Sequence, residues 1–328
     1  MARALGLAAL AALAFAPGAS ASVIGIDMGT QYMKVASGLD IVVNFESKRK
    51  SDNLIAFYRG ERKFAAEAAN LIRRKPDNVA ARLASMIGRN ADHPAVQGLA
   101  DQYLQVLPAF NESAGVLEME LEGASYTPQE LTAMLLQFAQ AITKDHTGSG
   151  VRDAVLTVPA WYTQSERVAL LDAADLAKLN VLTLIDTTTA VALQWAIDRV
   201  YEEDHYVLFY DMGAGGTEVS VARFYPMSDK GKNVSAFEVM GKGWDETLGG
   251  FAFDLRLTDI LAEKFNKQVG KGDVRKHPRP MAKLREQSRK VKEILSANVE
   301  IPVNVDGLHN DIDFRGHVTR REFAEKTR

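Results

Sequence analysis

Two segments of the sequence combine an aspartate, a glycine-rich stretch and a threonine at the end of a hydrophobic run. The first spans residues 23–30 and carries Asp27, and the second spans residues 207–217 and carries Asp211. Glycines let backbone N–H groups approach a phosphate chain closely, and an aspartate at a strand end can hold the waters that Mg²⁺ prefers to keep. The repeated pattern therefore predicts a clamp for a nucleotide and its Mg²⁺.

Each of these segments predicts a buried strand that turns back as a hairpin. A second apolar-rich run follows each glycine turn, over residues 32–36 and 218–224. An Asp-x-Gly triplet is also ordinary turn chemistry, and this is the alternative for either copy alone. Its duplication after two hydrophobic strands favours the nucleotide site and predicts two related lobes.

Between the hairpins, the sequence alternates predicted strands and helices. Thr127 and Glu130 match a capping box, which predicts an amphipathic helix with the apolar face Leu131, Leu135, Phe138 and Ile142. Strands are predicted at 155–159 and 181–185, and a second helix is predicted from the cap at Thr163 toward Asn180. This alternation indicates an α/β architecture with ligand sites at the strand ends.

Downstream of the second hairpin, the sequence predicts a polar loop at 226–233 and two further helices. The first helix is expected to bury Phe253, Leu257, Ile260 and Leu261, and the second, after a basic loop at 267–280, Leu284, Val291 and Leu295. The second helix also carries a run of basic residues, Lys283, Arg285, Arg289, Lys290 and Lys292. Spacing alone favours a solvated face for this run.

The composition excludes several classes of protein. The chain has 328 residues, of which 47% are hydrophobic and 25% charged, so we expect a globular protein. A formal net charge of -3 gives no electrostatic basis for binding nucleic acid or an anionic membrane surface. Because the sequence contains no cysteine, it excludes disulfides, zinc–thiolate sites and thiol nucleophiles.

The N-terminal residues differ from the rest of the chain. Arg3 precedes an apolar stretch over residues 5–15, and the small residues 19–21 follow it. This order is typical of a secretory signal peptide, residues 1–21, and the apolar stretch is about half the roughly 20 residues that span a membrane. Sequons at Asn111 and Asn233 agree with a lumenal location. We therefore expect a lumenal protein without a membrane span.

The motifs resemble those of the heat shock protein 70 family, and the similarity runs from Val23 to the end. The two hairpins resemble the family's phosphate motifs, residues 157–162 its connecting motif, and residues 248–250 and 312–320 two further segments. The resemblance implies an α/β, actin-like ATPase fold of the ribonuclease H-like kind with two related lobes. Lobe I is expected at 22–204 and an incomplete lobe II at 205–328.

The resemblance also implies the ligands and the residues that hold them. The expected cofactors are ATP or ADP with Mg²⁺. Asp27 and Asp211 would hold the metal through waters, and Asp211 is the one candidate catalytic residue. The residues expected to contact the nucleotide are Asp27, Gly29, Thr30, Gln31, Asp211, Gly213, Gly215, Gly216, Thr217, Lys292 and Ser296.

Within the family, residues 209–215, 281–284 and 295–298 resemble the large endoplasmic-reticulum branch. Members of this branch act as chaperones and as nucleotide exchange factors for the lumenal chaperone BiP. The resemblance therefore implies an ATP-binding chaperone of the endoplasmic reticulum lumen with a BiP-type partner. Unfolded polypeptides are expected partners where a peptide-binding domain is present.

Departures from the family pattern predict weak ATP hydrolysis. The alignment places Ala69, within residues 64–70, where the family carries its catalytic lysine, so a cation that stabilises the transferred phosphate is missing. Thr187 replaces an acidic residue that helps order the waters around Mg²⁺, and Gly216 replaces a threonine. Arg289 and Glu293 differ from the usual adenosine-binding pattern.

Two other functions stay open at this point. A phosphotransferase of the same fold, such as a sugar kinase, needs a catalytic base beside an acceptor pocket, and the sequence shows no motif for one. The chain also ends six residues after the capping box at 319–322, before the family's later adenosine motif and peptide-binding domain. An inactive truncated fragment is therefore the second alternative.

Overall fold

The computed structural model describes residues 23–72, 74–197, 199–229, 232–270 and 272–327. The signal peptide predicted at 1–21 lies outside these residues. No helix in the described ranges has the length and apolarity that crossing a membrane requires. The elements alternate between strands and helices, which confirms the predicted α/β class.

The described strands, in chain order, are β1 (Val23–Met28), β2 (Tyr32–Ser37), β3 (Asp40–Ile41), β4 (Ser51–Asp52), β5 (Ile55–Tyr58), β6 (Glu61–Phe64), β7 (Val79–Ala80), β8 (Ala109–Asn111), β9 (Val116–Leu121), β10 (Ala124–Tyr126), β11 (Asp153–Val158), β12 (Asn180–Asp186), β13 (His205–Met212), β14 (Thr217–Asp229), β15 (Lys232–Asp245), β16 (Glu300–His309) and β17 (Ile312–Thr319). The described α-helices are α1 (Ala65–Leu71), α2 (Pro94–Gln97), α3 (Pro128–Thr147), α4 (Gln164–Leu176), α5 (Thr187–Ile197), α6 (Gly250–Val269), α7 (Pro278–Leu295) and α8 (Arg320–Lys326).

The main sheet of the N-terminal half has the strand order β12-β11-β1-β2-β3, and β4 also pairs with β2. β1, β11 and β12 run parallel, whereas β1 and β2 form the first predicted hairpin. Alternate residues of β1, Ile24 and Ile26, are fully buried because they face the helices α3 and α4. The parallel strands therefore bring their carboxyl ends, including Asp27, to one edge of the sheet.

Helix α3 divides the N-terminal half into two cores. Its N-terminus carries the predicted capping box between Thr127 and Glu130, and all of its predicted apolar face is buried. Leu131 and Leu135 pack into the core formed with the small sheets β5–β7 and β8–β10, whereas Ile142 packs against the main sheet. The second predicted helix also has its capping box but ends at Leu176, before Asn180.

The second predicted hairpin forms the sheet β13-β14-β15, and the prediction that β13 is buried is wrong. Only Phe209 of this strand is buried, while Leu208 and Tyr210 are each 61% exposed. β13 is an edge strand, and the described helix α5 covers only one face of its sheet. Ala192 of α5 and Phe224 of β14 form the core on that face.

The prediction of a polar loop at 226–233 is also wrong. β14 continues to Asp229, and β15 begins at Lys232, with cross-strand pairs such as Phe224 with Phe237 and Met227 with Val234. Pairing along a long hairpin satisfies the backbone hydrogen bonds of these polar residues, which their composition alone did not reveal.

Helices α6 and α7 pack together and against the hairpin β16-β17. The predicted apolar positions of α7, Leu284, Val291 and Leu295, are buried in this core. The basic run of α7 is only partly a solvated face. Lys290 is exposed, whereas Arg285 and Lys292 are half-buried and line cavities between the two halves of the chain.

Candidate functional site

The two glycine turns close in the same way at the ends of β1 and β13. The N–H of Gly29 donates to the carbonyl of Tyr32 at 3.0 Å, and the N–H of Gly213 donates to the carbonyl of Gly216 at 2.9 Å. These bonds hold each turn tightly at the strand end, and each donating glycine lies two residues after the aspartate. The sequence repeat is therefore also a repeat of local structure.

Two glycines without side chains allow close packing around the second turn. A Cβ built on Gly215 would lie 2.5 Å from Oγ1 of Thr30, so the two turns contact each other directly. A Cβ on Gly249 would lie 2.5 Å from the carbonyl oxygen of Ala214, which lets the start of α6 pack against the second turn. Only glycine allows this close approach.

Both turns line a cleft of about 470 Å³. This volume falls within the usual range of small-molecule sites. Most residues predicted to contact the nucleotide line this cleft: Asp27, Gly29, Thr30, Gln31, Asp211, Gly213, Gly215, Gly216 and Lys292.

Two predicted binding residues lie elsewhere. Thr217 is 5% exposed, and its hydroxyl donates to the carbonyl of Leu248, so its side chain links the end of the second turn to the segment before α6. Ser296 is exposed at the end of α7, where its hydroxyl donates to the carbonyl of Glu293. Neither residue is among those that line the cleft.

The two aspartates have different surroundings. Asp27 accepts a hydrogen bond from Oγ1 of Thr157 at 2.8 Å and pairs with Nζ of Lys34 at 3.1 Å. Lys34 is the residue opposite Asp27 in the β1–β2 register. At the equivalent position of the second hairpin, Asp211 faces Glu218. One hairpin thus places opposite charges across the turn, and the other places two carboxylates there.

Glu218 is a candidate site residue that the sequence analysis missed. Its side chain lines the cleft, is 6% exposed and accepts a hydrogen bond from the N–H of Ala160 at 3.3 Å. Burial, with a smaller contribution from the nearby charges of Asp211 and Asp186, raises the pKa of Glu218 to about 7, although the hydrogen bond from Ala160 lowers it. The available signal was the repeat itself, since Asp27 and Asp211 are each followed seven residues later by a charged residue.

These carboxylates fit a hydrated divalent cation. Two acidic side chains that face each other in a partly buried cleft are stabilised by a nearby positive charge. The described residues contain no group of three or more His, Cys, Asp or Glu side chains close enough to bind a metal directly. Because Mg²⁺ usually keeps several waters, Asp27, Asp211 and Glu218 could hold it through them and leave the phosphates to complete its shell.

The substituted family positions divide between two cavities. Thr187 and Gly216 line the cleft, with Oγ1 of Thr187 donating to the carbonyl of Val158 at 3.2 Å. Ala69 lines the neighbouring cavity instead, so the geometry does not support its alignment with the phosphate-binding lysine. In the segment that follows α1, Ala84 and Ser85 are among the residues that line the cleft.

Each basic side chain on the wall of this cleft already pairs with a carboxylate. Lys34 pairs with Asp27, and Lys292 pairs with Asp254 at 2.7 Å. Arg89 contacts Glu166 at 3.0 Å and Glu246 at 2.9 Å. Among the described lining residues, therefore, no cation stands without a carboxylate partner.

Comparison with known proteins gives relatives over almost the whole chain. The chain is 37% identical over 315 residues to hypoxia up-regulated protein 1 of Danio rerio, and the alignment covers 93% of this chain and 32% of the relative. It is 38% identical over 340 residues to heat shock 70 kDa protein 17 of Arabidopsis thaliana, covering 97% and 38%. It is 33% identical over 318 residues to hypoxia up-regulated protein 1 of Homo sapiens, covering 93% and 32%.

The chain thus spans about a third of the length of these relatives. A sequence model of the family described as Hsp70 protein matches residues 23–328. This match includes both glycine turns, the helices between them and the α6–α7 unit, and the observed fold is that of the actin-like ATPase domain. The chain belongs to the heat shock protein 70 family.

Proposed function

We propose that this chain binds ATP or ADP with Mg²⁺ in the cleft between the two glycine turns. The observation that carries the proposal is the contact of Thr30 with Gly215, which brings two turns and two strand-end aspartates around one space. Backbone N–H groups would hold the phosphates, and Asp27, Asp211 and Glu218 would order waters around the ion. Lys292 lines the same cleft and would contact the adenosine side.

The proposal extends to weak hydrolysis. Catalysis of phosphoryl transfer depends on positioned groups that stabilise charge as it develops on the phosphate. Thr187 and Gly216 replace two groups that the family uses around the cleft, and Lys34, Arg89 and Lys292 are engaged with carboxylates. A nucleotide in this cleft would therefore be held rather than cleaved.

The proposed role of the whole protein is that of a chaperone and nucleotide exchange factor in the endoplasmic reticulum lumen. The predicted signal peptide and the similarity to hypoxia up-regulated protein 1 support this role. Its partner would be a BiP-type chaperone, whose nucleotide-binding lobes this chain would grip. Retention of its own nucleotide suits a protein that acts by binding.

Calorimetry with ATP and ADP tests the cleft directly. We expect binding that requires Mg²⁺ and that weakens at least tenfold in Asp211→Asn, because a carboxylate that orders the ion's waters is lost. Asp311→Asn is a matched control, since Asp311 lies in the exposed turn between β16 and β17. Equal nucleotide affinity in the wild type and Asp211→Asn would remove the cleft assignment.

Single-turnover and exchange assays test the functional role. Bound ATP should stay largely uncleaved over the time in which BiP completes a turnover. In a second assay, the chain should accelerate release of a fluorescent ADP analogue from BiP. Hydrolysis as fast as that of BiP would contradict the first part of the proposal, and an unchanged rate of ADP release would contradict the second.

A further inference from the structure

A second cavity of about 520 Å³ lies beside the nucleotide cleft. Thr30 and Gln31 line both spaces, so the first glycine turn forms part of the wall between them. The remaining wall comes from both halves of the chain, including Asn53 from the first half and Phe251 from α6. Of the residues predicted to contact the nucleotide, Thr30 and Gln31 alone are among those that line this second cavity.

Two arginines from different halves of the chain meet at the wall of this cavity. Nε of Arg82 donates to Oε1 of Gln102 at 3.0 Å, and Nη1 of Arg285 donates to the backbone carbonyl of the same residue at 3.0 Å. The guanidinium of Arg82 also lies over the ring of Phe251. Gln102 therefore anchors both cations beside each other.

The acidic residues on the wall also pair with other basic residues, and the charge of Asp254 acts on both arginines as well. These ion pairs join Asp52 to Arg289 at 3.7 Å, Asp254 to Lys292 at 2.7 Å, and Glu286 to Lys290 at 3.2 Å. Arg82 and Arg285 themselves donate hydrogen bonds to neutral groups, namely the side chain and backbone of Gln102 and the carbonyl of Tyr103. The described lining combines four arginines, of which the other two are Arg74 and Arg289, with three carboxylates, which leaves an excess of positive charge.

The arginines are surrounded by protein but keep surface toward the cavity. Burial lowers the pKa of Arg285 to about 10, and burial together with the charge of Arg285 lowers the pKa of Arg82 well below its ordinary value. Both side chains are nevertheless only half-buried by their exposed area, and both line the cavity. An anion in this space would relieve the cost of holding two cations close together.

Asn53 adds a second requirement for the occupant. Its side chain is 3% exposed and lines the cavity. Its Nδ2 donates to the carbonyl of Gly29 at 2.8 Å, while its Oδ1 is buried without a hydrogen-bond partner. A buried acceptor without a donor is costly, so the occupant is expected to bring a donor such as a hydroxyl group.

We propose that the cavity between Arg82 and Arg285 is a second ligand site, which binds the phosphate ester of a small hydroxylated molecule. The forked guanidinium groups of two arginines match the oxygens of a phosphate, and the hydroxyl would donate to Asn53. The volume of about 520 Å³ accommodates a ligand larger than free phosphate. Both halves of the chain line the site beside the predicted nucleotide cleft, so its occupant would contact both.

Calorimetric titration of the purified chain with glycerol 3-phosphate tests this site. We expect binding both without nucleotide and with a saturating nonhydrolysable ATP analogue. Arg82→Gln and Arg285→Gln should each weaken it about tenfold or more, because each removes charge-assisted hydrogen bonds to the phosphate. Arg279→Gln is the matched control, since Arg279 is exposed on the same helix as Arg285. Circular dichroism establishes that each variant is folded.

Parallel titrations separate the possible sources of binding. Inorganic phosphate should bind more weakly than glycerol 3-phosphate, and glycerol should not bind measurably. Equal affinity for the two phosphates would overturn the assignment of the hydroxyl to Asn53. Loss of glycerol 3-phosphate binding on adding the ATP analogue would place it in the nucleotide cleft and overturn the second site.

The wild-type measurements keep the proposal falsifiable even where an arginine variant does not fold. Absence of glycerol 3-phosphate binding at millimolar concentration would overturn it. The proposal is also independent of nucleotide binding, because Asp211→Asn should weaken only the nucleotide. An Asp211→Asn variant that loses glycerol 3-phosphate as well would show that the two ligands share one site.

Discussion

Nη2 of Arg89 lies 2.9 Å from Oε2 of Glu246 and joins the two halves of the chain at the nucleotide cleft. The Arg89 side chain is 3% exposed, and its Nε also contacts Glu166 at 3.0 Å. Glu166 belongs to the first turn of α4, and Glu246 follows β15. A single buried guanidinium thus pairs with one carboxylate from each half.

Removal of this guanidinium should destabilise the chain strongly. Arg89→Ala leaves Glu166, whose side chain is 5% exposed, without its cation, and breaking a buried ion pair typically costs about 3–5 kcal/mol. Urea unfolding should show this loss. Arg315→Ala is the control, because its pairs are exposed and such pairs contribute about 0–1 kcal/mol. Similar losses in both variants would contradict the role of Arg89.

Contact between the glycine turns should be sensitive to one added methyl group. Gly215→Ala would place its Cβ 2.5 Å from Oγ1 of Thr30, so we expect weaker nucleotide binding and a loss of about 1–3 kcal/mol in the free energy of unfolding. Gly241→Ala is the control, since nothing lies within 4 Å of its added Cβ. The double variant Gly215→Ala/Thr30→Ala should recover part of the loss, and strict additivity would argue against the contact.

The contribution of Glu218 to the stability of the ligand-free chain should fall as the pH rises from about 4.5 to 7. Burial and neighbouring charges raise the pKa of Glu218 to about 7 from an ordinary 4.5, so the folded state binds more protons than the unfolded state in this window. Glu218→Gln should remove this loss and, at pH 8, stabilise the ligand-free chain by about 1–2 kcal/mol. This free energy is smaller than the one that the full pKa shift of Glu218 would give, because the carboxyl lines a cleft that water can enter.

Urea unfolding of the wild type and Glu218→Gln at several pH values between 4 and 8 measures this effect. The same substitution should weaken Mg²⁺-dependent nucleotide binding, because it removes a carboxylate from the ion's surroundings. Identical pH profiles for the two proteins would contradict the proposed burial of the Glu218 charge. Glu112→Gln, on an exposed turn, serves as the control.

The cap of α3 should contribute measurably to stability. Oγ1 of Thr127 accepts from the N–H of Glu130 at 3.2 Å, and Oε2 of Glu130 accepts from the N–H of Thr127 at 2.8 Å. Thr127→Ala should reduce the free energy of unfolding by about 1 kcal/mol in a urea titration. Thr127→Ser should keep most of that stability, and an equal loss in both variants would exclude the hydroxyl as the cause.

The sequence by itself determined the local elements and the pair of turns. The capping boxes at Thr127 and Thr163, the apolar spacing of α3 and the repeated Asp-Met-Gly all appear as predicted, because caps and tight turns depend on residues close together in the chain. Local patterns gave less information on how far the strands extend and on which of their residues are exposed. β14 and β15 continue through the predicted loop, and β13 is an exposed edge strand.

The tertiary structure decided how charged residues far apart in the chain meet. No sequence pattern links Glu166 and Glu246 to Arg89, or Gln102 to Arg82 and Arg285. Packing nevertheless brings the residues of each group into contact. It also placed Ala69 beside the second cavity instead of the nucleotide cleft. Charge pairing and burial depend on distances in space, and only the packed sheets and helices fix those distances.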